Sequence, residues 1–162
     1  MKDIRCLSLL LFCIYLSPLA EAQTGAPTGA APPRNATWTD PDTSLTWAKM
    51  DNGSDVNWAQ ATAYCSNLHL AGFSGWRLPT IEELRGLDDP SVTAKTTFDA
   101  GDFWVHVKGN LKLTGWHWSN SQGTPGSNGP WNFNFENEKA ADAFPLGFSY
   151  SMRALCVRRS GQ

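Results

Sequence analysis

Apolar residues at Trp58, Ala61, Cys65 and Leu68 fall three or four apart, the spacing of one helix face. Asn57 stands where an N-cap belongs and Gln60 follows three residues on, so the pair reads as a capping box. Gly72 and Gly75 are expected to end this helix and turn the chain. Trp76, Arg77 and Leu78 must then be extended, because Pro79 disfavours helix in the residue before it. Thr80 and Glu83 form a second capping box, with Pro79 and Leu84 at the two positions of a hydrophobic staple. The stretch from Asn57 to Leu87 therefore reads as helix, tight corner, helix.

Elsewhere the pattern favours short strands. Thr37–Thr39 and Leu45–Trp47 flank Asp40-Pro41-Asp42-Thr43, which is turn chemistry, so a hairpin is expected. Asp51 to Ser54 reads as another turn, and Asp88-Asp89-Pro90 as a helix stop. Phe103 to Val107 alternates poorly but is compatible with a strand. Trp116 to Asn120 and Trp131 to Phe135 alternate like strands on either side of a Gly/Ser/Pro/Asn loop, Gln122 to Pro130. Arg153 to Arg158 reads as one last strand that carries Cys156 into the core.

The first 22 residues change the picture of where this fold must live. Lys2 and Arg5 precede an apolar run from Leu7 to Leu16, and Ala20-Glu21-Ala22 places small residues around a cleavage point before Gln23. Residues 1–22 are read as a secretory signal; the run is short for a membrane span. Residues 23–35, poor in branched and aromatic side chains, are read as a flexible linker. The folded domain is expected over residues 36–160, with no transmembrane segment once the signal is removed. Secreted, periplasmic and cell-surface locations all fit.

Of the four cysteines, Cys6 and Cys13 would leave with the signal. Cys65 and Cys156 then remain together in an oxidising compartment, and a disulfide is the natural reading. The chain-entropy model gives a loop of that size about 4–5 kcal/mol as an upper estimate. The formal charge of −2 and the absence of a dense basic run argue against a nucleic-acid partner.

Trp58, Ala61, Tyr64-Cys65, Ala71-Gly72-Phe73-Ser74-Gly75-Trp76-Arg77-Leu78-Pro79-Thr80, Glu83-Leu84, Trp118-Ser119, Trp131-Asn132-Phe133 and Ala154 to Arg158 form a recognisable set. Together they resemble the DUF1566 family, also called the Lcl C-terminal domain, over about Ala36 to Arg159. Trp38-Thr39-Asp40 and Leu45-Thr46-Trp47 fit that family's first hairpin. Gly75 departs from the pattern, since the family usually has an acid before the Trp; Arg77 thus lacks that neighbour. The resemblance implies an α+β, C-type-lectin-like fold. It has two short helices, small antiparallel sheets, a long loop region and one disulfide from the first helix to the last strand. It also implies adhesion or ligand binding on a bacterial surface. The partner would be an extracellular ligand, glycan or host or envelope protein; oligomeric state is left open.

Sugar-binding C-type lectins hold calcium with a Glu-Pro-Asn or Gln-Pro-Asp loop and a Trp-Asn-Asp strand. The loop motif is missing here, and Phe133 stands where the second carboxylate would be. No metal site and no cofactor is therefore expected. His69, His106 and His117 lack metal-ligand spacing, and Glu82 and Glu83 read as helix-start charges. No catalytic motif is present, so a binding module is expected rather than an enzyme. The alternatives are an enzyme on a related formylglycine-generating-type fold, which would need a reactive thiol, and a structural envelope protein. The candidate ligand-binding residues are Trp116, Trp118 and Trp131 as a stacking platform, with Asn120, Asn132 and Asn134 as polar partners. The competing reading is that these aromatics fill the core while Asn faces water.

Overall fold

The computed structural model describes residues 35–98, 101–136, 139–141 and 144–161. The expected signal sequence and all of the linker but Asn35 lie outside the described residues. Strands β1 (Thr37–Thr39) and β2 (Leu45–Ala48) form the expected hairpin, with Trp38 opposite Trp47. Its turn is held by Asp40, which is buried. One carboxylate oxygen accepts from the Asp42 amide at 3.1 Å and the other from the Thr43 hydroxyl at 2.8 Å. This is the local chemistry by which Asp stabilises a turn.

Helix α1 (Trp58–Ser66) and helix α2 (Ile81–Arg85) each begin with a complete capping box, Asn57 with Gln60 and Thr80 with Glu83. Helix α1 buries Ala61 and Cys65. It ends at Asn67, earlier than the glycines suggested. Leu70 and Phe73 exchange both backbone hydrogen bonds around Ala71 and Gly72, whose φ values are 55° and 79°. Two positive φ values in succession make a primed hairpin turn, so the glycine turns the chain after the helix has already stopped. Arg77 exchanges both backbone bonds with Val157 at 2.9 Å, which holds it in the expected extended corner.

Two elements differ from expectation. Ala94–Phe98 is a strand, β3, paired with β4 (Gly101–Val105) in an antiparallel ribbon. The final segment is not one strand. It splits into β8 (Met152–Arg153) and β9 (Val157–Arg159). Between them Ala154 donates to the Asn52 side chain at 2.7 Å and Cys156 accepts from the Ala48 amide at 2.9 Å. Those bonds draw the middle residues onto the 48–52 segment as the chain passes from one sheet to another. Strand β9 extends the first hairpin into a sheet of order β1-β2-β9. Strand β8 joins a second sheet, β7-β6-β5-β8, built with β5 (Trp116–Trp118), β6 (Asn132–Asn134) and β7 (Lys139–Ala141). The β5–β8 pair is parallel, against the all-antiparallel expectation.

This second sheet is covered on both faces. Phe133 and Phe135 belong to one apolar cluster with Trp47, Leu84 and Leu155. Trp118 and Met152 belong to another with Ala61, Trp76 and the two cysteines. Each fully buried Leu or Phe contributes about 1.5–3 kcal/mol relative to exposure. Cys65 and Cys156 are joined in a disulfide that ties α1 to the crossing segment between β8 and β9. The molecule is thus a small α+β unit of two helices, small sheets and one disulfide.

Candidate binding surface

The loop between β5 and β6 is closed at its base by backbone and hydroxyl groups. The Ser119 amide and hydroxyl both donate to the Trp131 carbonyl, at 2.9 and 2.7 Å, and the Trp131 amide donates to the Ser121 carbonyl at 3.0 Å. The base is also fastened to both helices. The Ser121 hydroxyl accepts from the Ile81 amide at 3.0 Å, and the Asn120 amide donates to the Pro79 carbonyl at 2.7 Å. The Trp58 indole of α1 donates to the Ser119 carbonyl at 2.9 Å. The Trp-Arg-Leu-Pro-Thr corner therefore has a second task besides packing: it holds the loop.

Beyond this neck the chain turns at Thr124-Pro125-Gly126-Ser127, where the Ser127 amide donates to the Thr124 carbonyl at 2.9 Å and Gly126 has φ 92°. Pro then Gly at the two central positions is what such a turn requires. Gly123 and Gly129 are tightly packed. A Cβ at Gly123 would come within 2.1 Å of the Gly129 carbonyl oxygen, and one at Gly129 within 2.1 Å of the Phe144 carbonyl oxygen. Only glycine lets these backbones approach so closely. The result is a cleft of about 260 Å³ between Gln122, Thr124, Ser127, Asn128, the two glycines and exposed Leu146. Among the described residues that line it, none is charged.

The six candidate residues do not come together. Trp118 is fully buried, its indole donating to the Val56 carbonyl at 2.9 Å. Asn132 is fully buried beside it in register, and among the described residues neither atom of its amide has a hydrogen-bond partner. Asn134 is buried, accepting from the Glu136 amide at 2.8 Å. These three are enclosed by protein and are withdrawn from the surface. Trp116 is half-buried, edge-on to Phe144, which in turn stacks on Phe148. Trp131 is half-buried against the other cluster, with the Arg85 guanidinium 5.7 Å from its ring. The three tryptophans form no common platform, because the two on β5 and the one before β6 pack against opposite faces of the sheet. Of the six, Asn120 alone is exposed. The sequence did not single out Leu146, and Trp58 looked like an ordinary core position of its helix.

A buried polar cluster lies away from this loop. The Asp51 carboxylate accepts from the Thr114 amide (2.6 Å), the Thr114 hydroxyl (2.9 Å), the Gly53 amide (3.0 Å) and His117 Nε2 (3.1 Å). Arg153 Nε donates to the Thr114 hydroxyl at 2.9 Å and its Nη1 pairs with Asp55. Burial pushes the Asp51 carboxyl up. The hydrogen bond and charge of His117, with the two Thr114 bonds, more than reverse this and hold it below the usual carboxylate range. His69 and His106 each meet a nearby backbone carbonyl, of Asn67 and Pro90.

The family model of the Lcl C-terminal domain matches residues 36–158. The chain belongs to this family. Comparison with curated proteins gave no match. In the Lcl C-terminal domain of this chain Gly75 precedes Trp76, and Arg77 grips Glu83 with two 2.7 Å bonds. Among the described residues of the domain, no helix is long and apolar enough to cross a membrane.

Proposed function

We propose that this Lcl C-terminal domain is an exported, calcium-independent binding module of C-type-lectin-like architecture, displayed outside the cytoplasm. Its ligand is a neutral, hydroxyl-rich molecule such as a glycan, and the contact surface is the Gln122–Pro130 loop with Leu146 and Asn120. The observation that carries this reading is the preformed cleft. Its neck is tied to two helices, its walls are set by glycines, and its lining offers amides, hydroxyls and backbone groups beside an aliphatic side chain. Rigid scaffolds present binding groups on such loops, and a pre-ordered loop loses less entropy on binding. An uncharged lining favours a ligand without net charge. A wider depression of about 550 Å³ runs along α1 past Tyr64 and His69, but it is a shallow helix flank and not a loop cleft.

A formylglycine-type enzyme would need a free, activated thiol. Cys65 and Cys156 are buried and joined to each other, which favours the binding reading over the catalytic one. The test is a glycan array with the folded domain, with and without a calcium chelator, repeated on a variant lacking residues 122–128. Binding that survives the chelator and is lost with the loop is the expected result. Retention of binding by the loop variant would refute the site, and binding to envelope protein alone would refute the ligand class.

A further inference from the structure

The sequence contains two Asn-Gly dipeptides, Asn52-Gly53 and Asn128-Gly129. In this dipeptide the glycine amide nitrogen can attack the asparagine Cγ, since no glycine side chain stands in its way. The amide nitrogen Nδ2 leaves as ammonia and a five-membered succinimide forms. Water then opens either carbonyl, giving aspartate or the β-linked isoaspartate. The net change is one amide and one water converted to one carboxylate and ammonium. The step needs a free side chain, a deprotonatable glycine N–H and local room to close the ring.

The structure treats the two sites differently. Asn52 is half-buried and held at both ends: Nδ2 donates to the Ser54 carbonyl at 2.7 Å and Oδ1 accepts from the Ala154 amide at 2.7 Å. The attacking nitrogen, that of Gly53, donates to the Asp51 carboxylate at 3.0 Å. A neighbouring anion opposes loss of that proton. Ring closure at Asn52 would break all three bonds and undo the contact between the 48–52 and 154–156 segments. Asn128 is exposed. Among the described residues no hydrogen bond holds its side chain, and the Gly129 N–H donates to no backbone carbonyl.

We propose that Asn128 is a spontaneous modification site, converting to aspartate and isoaspartate in the folded protein, while Asn52 is protected by the fold. The product puts a carboxylate into a cleft whose lining side chains carry no charge. The isoaspartate form also adds a backbone carbon beside Gly129, where the chain already lies against Phe144. The modification thus alters the loop whether or not that loop holds a ligand.

The experiment incubates the oxidised, folded protein at mildly alkaline pH and follows each site by peptide mapping, with isoaspartyl methyltransferase labelling as a second readout. A parallel sample is reduced and held in urea. In the folded sample Asn128 should convert at least about tenfold faster than Asn52, since several hydrogen bonds restrain the latter. In the unfolded sample the two rates should come together, and Asn128→Gln should cut labelling of the folded protein to the slow rate of Asn52. Conversion of Asn52 at a rate equal to or above that of Asn128 in the folded state would overturn the proposal. So would an Asn128 that stays intact when folded but converts in urea.

Discussion

Glu83 grips Arg77 with both oxygens at 2.7 Å, and one of those oxygens also accepts from the Thr80 amide at 2.8 Å. One carboxylate thus joins the extended corner to the first turn of α2. Burial pushes the Glu83 carboxyl up, and the Arg77 hydrogen bonds with the Thr80 amide overcome that, leaving it lowered; Arg77 is correspondingly raised. The pair is partly exposed, so its charge term is worth little and the cap supplies most of the energy. Glu83→Ala should lower stability by about 1–2 kcal/mol and Glu83→Gln by less, measured by urea denaturation. Equal losses would show that the charge, not the cap, dominates.

The disulfide makes a stronger claim. Replacing Cys65 and Cys156 by Ala together should lower stability by about 2–5 kcal/mol. Reductant should produce a similar loss in the unaltered protein and none in the double variant. Non-reducing peptide mapping checks the linkage itself.

Acid should act through Asp51. Its native carboxyl is lowered, so the fold favours the charged form. The contribution is complete above the ordinary carboxylate range and is lost as pH falls through the lowered native value. Asp51→Asn should flatten this acid limb while costing about 1–3 kcal/mol near neutrality, because a buried acceptor set is disturbed. Chemical denaturation as a function of pH measures both.

Trp76 is buried with its indole donating to the Phe73 carbonyl at 3.1 Å. Trp76→Ala should cost about 3–5 kcal/mol. Asn120 binds the corner only through its backbone amide, so Asn120→Ala should leave the melting temperature unchanged while weakening binding at the loop. Thermal unfolding beside the array measurement separates the two.

Local chemistry was legible in the sequence. Both capping boxes, the Asp40 turn and the extended Arg77 depend on residues within a few positions of each other. Counting cysteines left after signal removal gave the Cys65–Cys156 pair. What needed the third dimension was pairing and facing. Nothing near Arg153 announces that the Asn52 side chain will take the Ala154 amide, so the split of the last strand was invisible, as was the parallel partner of β5. Alternation at Trp116, Trp118, Asn132 and Asn134 implies one covered face and one face open to water or ligand. Both faces of this sheet are covered, so alternation lost its meaning and buried Asn132 and Asn134 as well as Trp118.

The divided final segment also sets the order of events in the life of the chain. Met152 to Arg159 supplies an outer strand to each of the two larger sheets and half of the crosslink. A polypeptide folding from its N-terminal side has none of these until this segment joins it. Long-range closure of this kind folds in roughly milliseconds to seconds rather than microseconds, so both sheets and the crosslink are completed together and late. A truncated product ending before Met152 would lack the outer strand of both sheets and the crosslink at once. One short segment thus makes the two sheets cooperative with each other.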